Sequence, residues 1–151
     1  MSEPEADSIR IRWSEPQEAA RLADIWRRSV RATHDFLREE DFRDIDILVR
    51  EHYLPQTRVW VIDVDDAPAG FMGLSGAHVD ALFIDPGRRA RGLGRALLDH
   101  AARLAGPLTV DVNEQNALAV GFYERMGFRR SGRSPHDDAG RPYPLLHLRQ
   151  D

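Results

Sequence analysis

Hydrophobic and polar positions repeat with two different periods in the first third of the chain. Apolar and charged residues alternate over residues 9–13, which predicts a short β-strand. Ser14 and a proline in the following turn indicate the start of a helix, and apolar residues then recur at helical spacing as far as Val30. A second helical pattern covers residues 39–52. This part of the chain therefore predicts one strand followed by two helices.

The rest of the chain carries alternating strand and helix signals. Residues 58–64 are rich in β-branched and aromatic side chains, residues 65–68 are typical of a turn, and strands are predicted at 70–74 and 79–84. The later predicted elements are a helix that ends near residue 105, a strand at 108–112, a helix at 116–126, and strands at 129–133 and 145–149. Glycines at positions 106 and 127 provide the two helix stops.

The resulting order, β-α-α-β-β-β-α-β-α-β-β, indicates a fold class. Three successive strands are expected to form an antiparallel meander, and the later strand–helix–strand passage requires a right-handed crossover and a parallel pair. We therefore predict an α/β (α+β) fold, a mixed and twisted sheet of about seven strands with four helices on its two faces. We expect one domain over residues 9–151, since 151 residues suffice for one core, with residues 1–8 as a flexible tail.

Composition narrows the possible functions. The net charge of −4 argues against general binding to nucleic acid or to anionic membranes. The sequence has no cysteine, which excludes disulfides, thiolate metal sites and thiol catalysis, and we expect no metal. The acidic N-terminus and the lack of a long apolar run favour a cytoplasmic protein, which we expect to be a monomer or a homodimer.

A basic, glycine-containing loop lies between the strand at 79–84 and the next helix. Gly92 and Gly94 allow a tight turn and a close backbone approach to a ligand, and the first N–H groups of a helix suit a phosphate group. Arginines at positions 88, 89, 91 and 95 add positive charge. The loop is also compatible with a plain helix start with solvated arginines. It lacks the Gly-Lys-Ser/Thr ending of a P-loop, although a nucleotide-phosphate-binding fold stays open as an alternative.

A second motif covers residues 116–128. Asn116 and Tyr123 are seven residues apart, so they lie on the same side of the predicted helix, with the small or β-branched Ala119 and Val120 between them. A ligand can lie along such a stripe. Taken alone, Tyr123 is better explained as a core tyrosine whose hydroxyl bonds to the backbone.

Together the two motifs resemble those of the GNAT superfamily of N-acetyltransferases. That family pairs an Arg/Gln-x-x-Gly-x-Gly/Ala loop with a downstream Asn-x-x-Ala-x-x-Phe-Tyr-x-x-x-Gly-Phe helix. The matching residues here are Arg89, Gly92, Gly94, Asn116, Ala119, Phe122, Tyr123, Gly127 and Phe128. Within the superfamily, residues 32–37, 80–86, 112–116 and 142–146 resemble the bacterial YjaB-type branch.

The resemblance implies an enzyme that transfers an acetyl group from acetyl-CoA to an amine acceptor, without a metal. It implies that the pantetheine arm pairs with the strand at Leu82, Phe83 and Ile84, and that Asn116 contacts the cofactor from the other side of a gap between splayed strands. The implied diphosphate contacts are Arg89, Arg91, Gly92, Leu93, Gly94 and Arg95. Tyr123 is implied as the acid that protonates the departing thiolate, as in family members with tyrosine at that position.

The acceptor side is less defined. Candidate substrate-binding residues or bases are His34, Asp35, His78, Asp80 and Tyr143. His34 and Asp35 could instead cap a helix, His78 and Asp80 could be ordinary polarity at a strand edge, and a water path to solvent could replace a dedicated base. A protein lysine and a small-molecule amine both remain possible acceptors, and a non-catalytic acyl-CoA sensor remains an alternative function.

Overall fold

A seven-stranded mixed sheet runs through the part of the chain that the computed structural model describes, residues 8–88 and 91–151. The strands are β1 (Ile9–Trp13), β2 (Trp60–Val64), β3 (Ala67–Ser75), β4 (His78–Ile84), β5 (Thr109–Asn113), β6 (Arg129–Ser134) and β7 (Leu145–Arg149). The α-helices are α1 (Ala19–Thr33), α2 (Glu39–Ile47), α3 (Leu54–Gln56), α4 (Leu93–Ala105) and α5 (Ala117–Arg125). A π-helical segment, Leu48–Tyr53, joins α2 to α3. Because α2, the π-helical segment and α3 follow one another without a break, they correspond to the single predicted second helix. The predicted element order and the four predicted helices are therefore confirmed.

The order of strands across the sheet is β1-β2-β3-β4-β5-β7-β6. Neighbouring strands are antiparallel except for β4 and β5, which are parallel and connected through α4. This confirms the predicted meander and crossover. The parallel pairing is short: His78 pairs with Thr109 and Val79 with Val110, and no later pair follows among the described residues.

Hydrophobic side chains pack on both faces of the sheet. One cluster contains Leu97 of α4, Tyr123 of α5 and alternate strand residues such as Val110. The other cluster lies beneath α1 and α2 and includes Phe71 and Trp26, which is 3% exposed. Burial of this apolar area on two faces fixes the strand register, because a shift by one residue would turn every side chain to the wrong face.

Two local predictions were wrong for identifiable reasons. Asp65 and Asp66 both have positive φ, +51° and +66°, and form a two-residue hairpin turn, so that β3 starts at Ala67 instead of residue 70. Ser14 does not cap the first helix. Its side chain accepts a hydrogen bond from the Val59 N–H at 3.0 Å and ties the end of β1 to the start of β2.

The N-terminal start of the sheet lies next to the β2–β3 turn. Residues 1–7 of the expected tail lie outside the described residues, whereas Ser8 exchanges hydrogen bonds with Asp65, at 2.8 and 3.0 Å. The single-domain boundary at residue 9 stays a prediction. None of the helices in the described ranges has the length and apolar character needed to cross a membrane.

Candidate active site

A cavity of about 760 Å³ opens where β4 and β5 separate. Both strands contribute to its walls beyond the last bridge, between Val79 and Val110. The start of α4, one side of α5 and the end of α1 complete the lining. The cavity therefore lies in the gap between the two parallel strands, where the resemblance to the GNAT family implied that the cofactor binds.

The strand edge along this cavity is one of its main features. Leu82, Phe83 and Ile84 pair with β3 on one side and border the cavity on the other. Because β5 has diverged, no strand of the described residues pairs with this second edge. Backbone N–H and C=O groups at such an edge can pair with an extended ligand as an added strand would. This is the position expected for the pantetheine arm.

The N-terminus of α4 also borders the cavity. Gly92 has a left-handed φ of +74° and precedes the helix, whose first hydrogen bond runs from the Ala96 N–H to the Gly92 carbonyl oxygen at 3.0 Å. The N–H groups of the first three helical residues therefore have no acceptor within the helix, and they carry the positive end of its dipole. These residues are Leu93, Gly94 and Arg95. Such a helix start suits a diphosphate.

Arginine side chains surround this helix start. Arg88 and Arg95 border the cavity, and Arg125 of α5 does so from the other side. Arg91 is exposed beside them and does not border the cavity, and Arg89 lies outside the described residues. The charge needed to neutralise an anionic ligand is thus present at this end of the cavity.

Asn116 and Tyr123 face the cavity from α5, as their spacing predicted. The Asn116 side chain accepts a hydrogen bond from the Ala119 N–H at 3.2 Å, so it caps α5 as well as bordering the cavity. Tyr123 is 6% exposed, and burial raises the pKa of its hydroxyl well above the ordinary value. The hydroxyl has no hydrogen-bond partner in the described ranges. Tyr123 therefore stays protonated near neutral pH and can act as a proton donor.

His34 borders the cavity at the end of α1. The Thr33 hydroxyl donates to the Ser29 carbonyl at 2.9 Å and must therefore accept from His34 Nδ1–H, which lies 2.7 Å away. This leaves Nε2 as an acceptor. Burial lowers the pKa of His34 to about 4, only partly opposed by the charge of Asp35. A neutral imidazole with so low a pKa is a weak base at pH 7.

The other acceptor-side residues are divided between the cavity and its surroundings. Asp80 borders the cavity and accepts a hydrogen bond from the Ser75 hydroxyl. His78 lies at the start of β4, where its Nδ1 is 2.8 Å from Thr109 Oγ1. Asp35 is exposed in the loop after α1 and does not border the cavity. Of these residues, only Asp80 lies where a substrate in the cavity can contact it directly.

Tyr143 has a different position from the one expected. It is 5% exposed; its hydroxyl donates to the Asp41 carboxylate and accepts from the Arg38 N–H at 3.1 Å. Its ring lies 6.0 Å from that of Phe36 and does not border the cavity. The pairing with a buried carboxylate makes Tyr143 a link between the β6–β7 loop and the start of α2, which is a correction to its expected role in the acceptor pocket.

Sequence reasoning missed a polar cluster at the cavity. Asp111 of β5 borders the cavity, and its Oδ1 lies 2.6 Å from Nδ1 of His147 on β7. The one sequence signal was an aspartate between two valines in a strand. Among the described residues, no group of three or more histidines and carboxylates is arranged to hold a metal ion.

Comparison with known proteins assigns the family. The family model for an acetyltransferase (GNAT) domain matches residues 29–143. The chain belongs to the GNAT acetyltransferase family. It is 53% identical over 141 residues to the peptidyl-lysine N-acetyltransferase YjaB of Salmonella typhimurium (strain LT2), covering 93% of this chain and 97% of that protein. This confirms the resemblance that the two motifs indicated.

Two further comparisons agree with this assignment. The peptidyl-lysine N-acetyltransferase YiaC of Escherichia coli (strain K12) is 30% identical over 119 residues, covering 78% of this chain and 82% of that protein. The solution structure of apo-form YjaB from Escherichia coli superimposes with a TM-score of 0.89 at 52% identity, covering 94% and 97% of the two chains. The GNAT enzyme described here is thus an N-acetyltransferase that transfers the acetyl group of acetyl-CoA to an amine, as expected.

Proposed function

We propose that this GNAT enzyme acetylates lysine side chains of proteins, with Tyr123 as the general acid. One observation carries the proposal: a single cavity is bordered by the N-terminus of α4, by the edge of β4 that no described strand pairs with, and by Tyr123. These are the three features that a thioester cosubstrate with a diphosphate at its far end needs.

The residues of the cavity fit acetyl-CoA. The diphosphate would lie on the N–H groups of Leu93, Gly94 and Arg95, with Arg88 nearby, and Asn116 would contact the molecule from α5. The pantetheine arm would pair with the free edge of β4 at residues 82–84. Acetyl-CoA would supply the activated acetyl group. The protein would hold the thioester in position and provide the groups that transfer protons.

The chain's own groups meet two needs of acyl transfer. A backbone N–H of Phe83 or Ile84, on the strand edge that faces the cavity, can donate to the thioester oxygen as negative charge develops there. Tyr123 borders the cavity, and its hydroxyl, which is protonated near neutral pH, can donate its proton to the departing sulfur. Neither role requires a metal.

A cationic acceptor agrees with the charge at the other side of the cavity. Asp80 and Asp111 both border it and place two carboxylates near the point where the strands separate. A lysine ammonium is attracted to such a site. YjaB and YiaC, the relatives compared above, are both peptidyl-lysine N-acetyltransferases, which supports a protein lysine over a small-molecule amine. A cytoplasmic location, where acetyl-CoA and protein substrates meet, goes with this proposal.

The test is an acetylation assay with acetyl-CoA and a lysine-containing peptide. Thiol release and the mass gain of one acetyl group on the peptide are measured for the wild-type enzyme and for Tyr123→Phe. We expect Tyr123→Phe to lower kcat by about 10²-fold or more with little change in the affinity for acetyl-CoA, because general acid catalysis typically contributes 10² to 10⁴.

Tyr53→Phe is the matched control. It removes a buried hydroxyl in the same way, but Tyr53 does not border the cavity, so its kcat should stay at the wild-type value. An unchanged kcat for Tyr123→Phe would rule out the general-acid role. Acetylation of small amines but of no peptide would contradict the lysine assignment, and acetyl-CoA binding without turnover would identify a sensor.

A further inference from the structure

Asp111 occupies the point on β5 at which the pairing with β4 ends. The last bridge joins Val79 to Val110, and Asp111 is the next residue and borders the cavity. Val110 and Val112 pack into the cluster formed with α4 and α5. Because side chains alternate along a strand, Asp111 points to the opposite face of the sheet, the face on which α1 lies. The carboxylate is therefore across the sheet from the helix start assigned to the diphosphate.

A chain of hydrogen bonds holds this carboxylate in place. Asp111 Oδ1 lies 2.6 Å from His147 Nδ1, and His147 Nε2 lies 2.7 Å from Ser134 Oγ. An ionised carboxylate can only accept, so Nδ1 donates to Asp111, and in a neutral imidazole Nε2 then accepts from the Ser134 hydroxyl. The second carboxylate oxygen, Oδ2, is 3.7 Å from His78 Nε2, which is longer than a hydrogen bond. Among the described residues, Oδ2 therefore accepts no hydrogen bond and can accept one from a ligand.

We propose that Asp111 is the catalytic residue that binds the acceptor ammonium through Oδ2 and takes its first proton, and that His147 positions it. This inference rests on the proposed function, because it concerns the acceptor side of the same cavity. At pH 7.5 only about one lysine side chain in a thousand is neutral, since the ordinary lysine pKa is about 10.4. An enzyme that binds the abundant ammonium form and deprotonates it in place avoids this limit.

The proton balance of the reaction is complete with these groups. The ammonium transfers one proton to Asp111, whose side chain is 32% exposed and can pass it to solvent water. The neutral nitrogen forms a bond to the acetyl carbon while the carbon–sulfur bond breaks. The nitrogen loses its second proton as the amide forms, and the sulfur gains one through Tyr123, so that one amide, one thiol and one free proton result.

The titratable groups around Asp111 come from the two neighbouring strands, β4 and β7. His78 of β4 and His147 of β7 face its two oxygens, and Asp80 of β4 borders the same cavity. Arg149 follows at the next same-face position of β7, paired with Thr109. The pH profile of the enzyme therefore has to be read from matched variants instead of from the wild type alone.

The test compares Asp111→Asn with wild type over pH 7 to 9, using the amine acceptor that the wild-type enzyme acetylates best. We expect Asp111→Asn to lower kcat/KM about 100-fold at pH 7. The loss should shrink about tenfold for each pH unit, because the neutral fraction of the amine grows by that factor. Asp99→Asn, an exposed carboxylate on α4 away from the cavity, should match wild type throughout. Affinity for acetyl-CoA should be unchanged in both.

His147 is tested as a positioning residue through a pair of variants. His147→Ala removes the hydrogen-bond donor to Asp111. It should raise KM for the acceptor and lower kcat, so that kcat/KM falls about tenfold in total. His147→Asn keeps an N–H donor at a similar position and should recover most of the lost kcat/KM. If Asp111→Asn acetylates the peptide as fast as the wild-type enzyme and with the same pH profile, the inference is overturned, while the lysine acetyltransferase function stands. Failure of the wild-type enzyme on every amine would overturn both.

Discussion

Acidification from neutral pH should destabilise this protein through His34. The pKa of His34 is about 4 in the folded protein because of burial, compared with 6.5 for an unperturbed histidine. Between these values the unfolded chain binds a proton that the folded chain does not. The contribution is therefore fully present above pH 6.5 and is lost as the pH falls towards 4.

The size of this effect follows from the two pKa values. At pH 4.5 the difference in proton binding sets an upper bound of about 2.5 kcal/mol on the loss of unfolding free energy. The ring is only partly buried and keeps contact with solvent, which reduces the bound, so we expect about 1 to 2 kcal/mol. His100, whose pKa is also lowered by burial, adds a contribution of the same sign. The His34 part therefore has to be measured as a difference between two proteins.

The assay is urea unfolding of wild type and His34→Gln at pH 7.5, 6.0, 5.0 and 4.5. Glutamine is uncharged at every pH, so the variant should lack the His34 contribution while retaining that of His100. Wild type should lose about 1 to 2 kcal/mol more than the variant between pH 7.5 and 4.5. Parallel pH curves for the two proteins would refute the buried, neutral state of His34. They would also restore His34 as a candidate base near pH 7.

Two further substitutions test the cavity and its support. Asn116→Ala should lower the free energy of unfolding by about 1 kcal/mol through loss of the α5 cap, while Asn116→Ser should keep the cap. Calorimetry should show weaker acetyl-CoA binding for both variants, and wild-type affinity of the serine variant would show that Asn116 does not contact the cofactor. Tyr53→Phe should raise Tm by about 2 to 4 °C, because the Tyr53 hydroxyl is buried without a hydrogen-bond partner among the described residues. A lower Tm in thermal unfolding would contradict this.

Local sequence patterns predicted most of the fold because each element carried its own signal. The alternation in β1 and the glycine stops of α4 and α5 located those elements closely. The turn at Asp65 and Asp66 was not predicted correctly, since positive φ at two consecutive aspartates is allowed by their short polar side chains but is not specified by them. The continuation of α2 through a π-helical segment likewise depends on packing against the sheet.

The residues of the candidate site likewise fall into two groups, those that a local sequence pattern predicts and those that it does not. The loop at Gly92 and the helix from Asn116 to Tyr123 are contiguous segments, so their motifs could be recognised in the sequence, and the resemblance to the GNAT family implied the roles of their residues. Asp111 and His147 are 36 residues apart and meet only because β7 inserts between β5 and β6. Neither the alternation of side chains nor the turn lengths specify that insertion, and a motif search along the chain therefore misses this pair.

The opening of the cavity has a local cause in the register of β3 and β4. Gly73 pairs with Ala81 and Leu74 with Val79, so Asp80 is an extra residue on β4 and forms a bulge. This bulge directly follows the last bridge to β5, and bulges bend and twist the strand that carries them. The position opposite the bulge needs a glycine, because a Cβ at Gly73 would lie 1.9 Å from the Tyr53 hydroxyl oxygen. One added residue thus turns β4 away from β5 and frees the backbone edge of residues 82–84. It also places the Asp80 carboxylate on the cavity, so that the same irregularity provides both the proposed seat of the cosubstrate and part of the charge that attracts the amine.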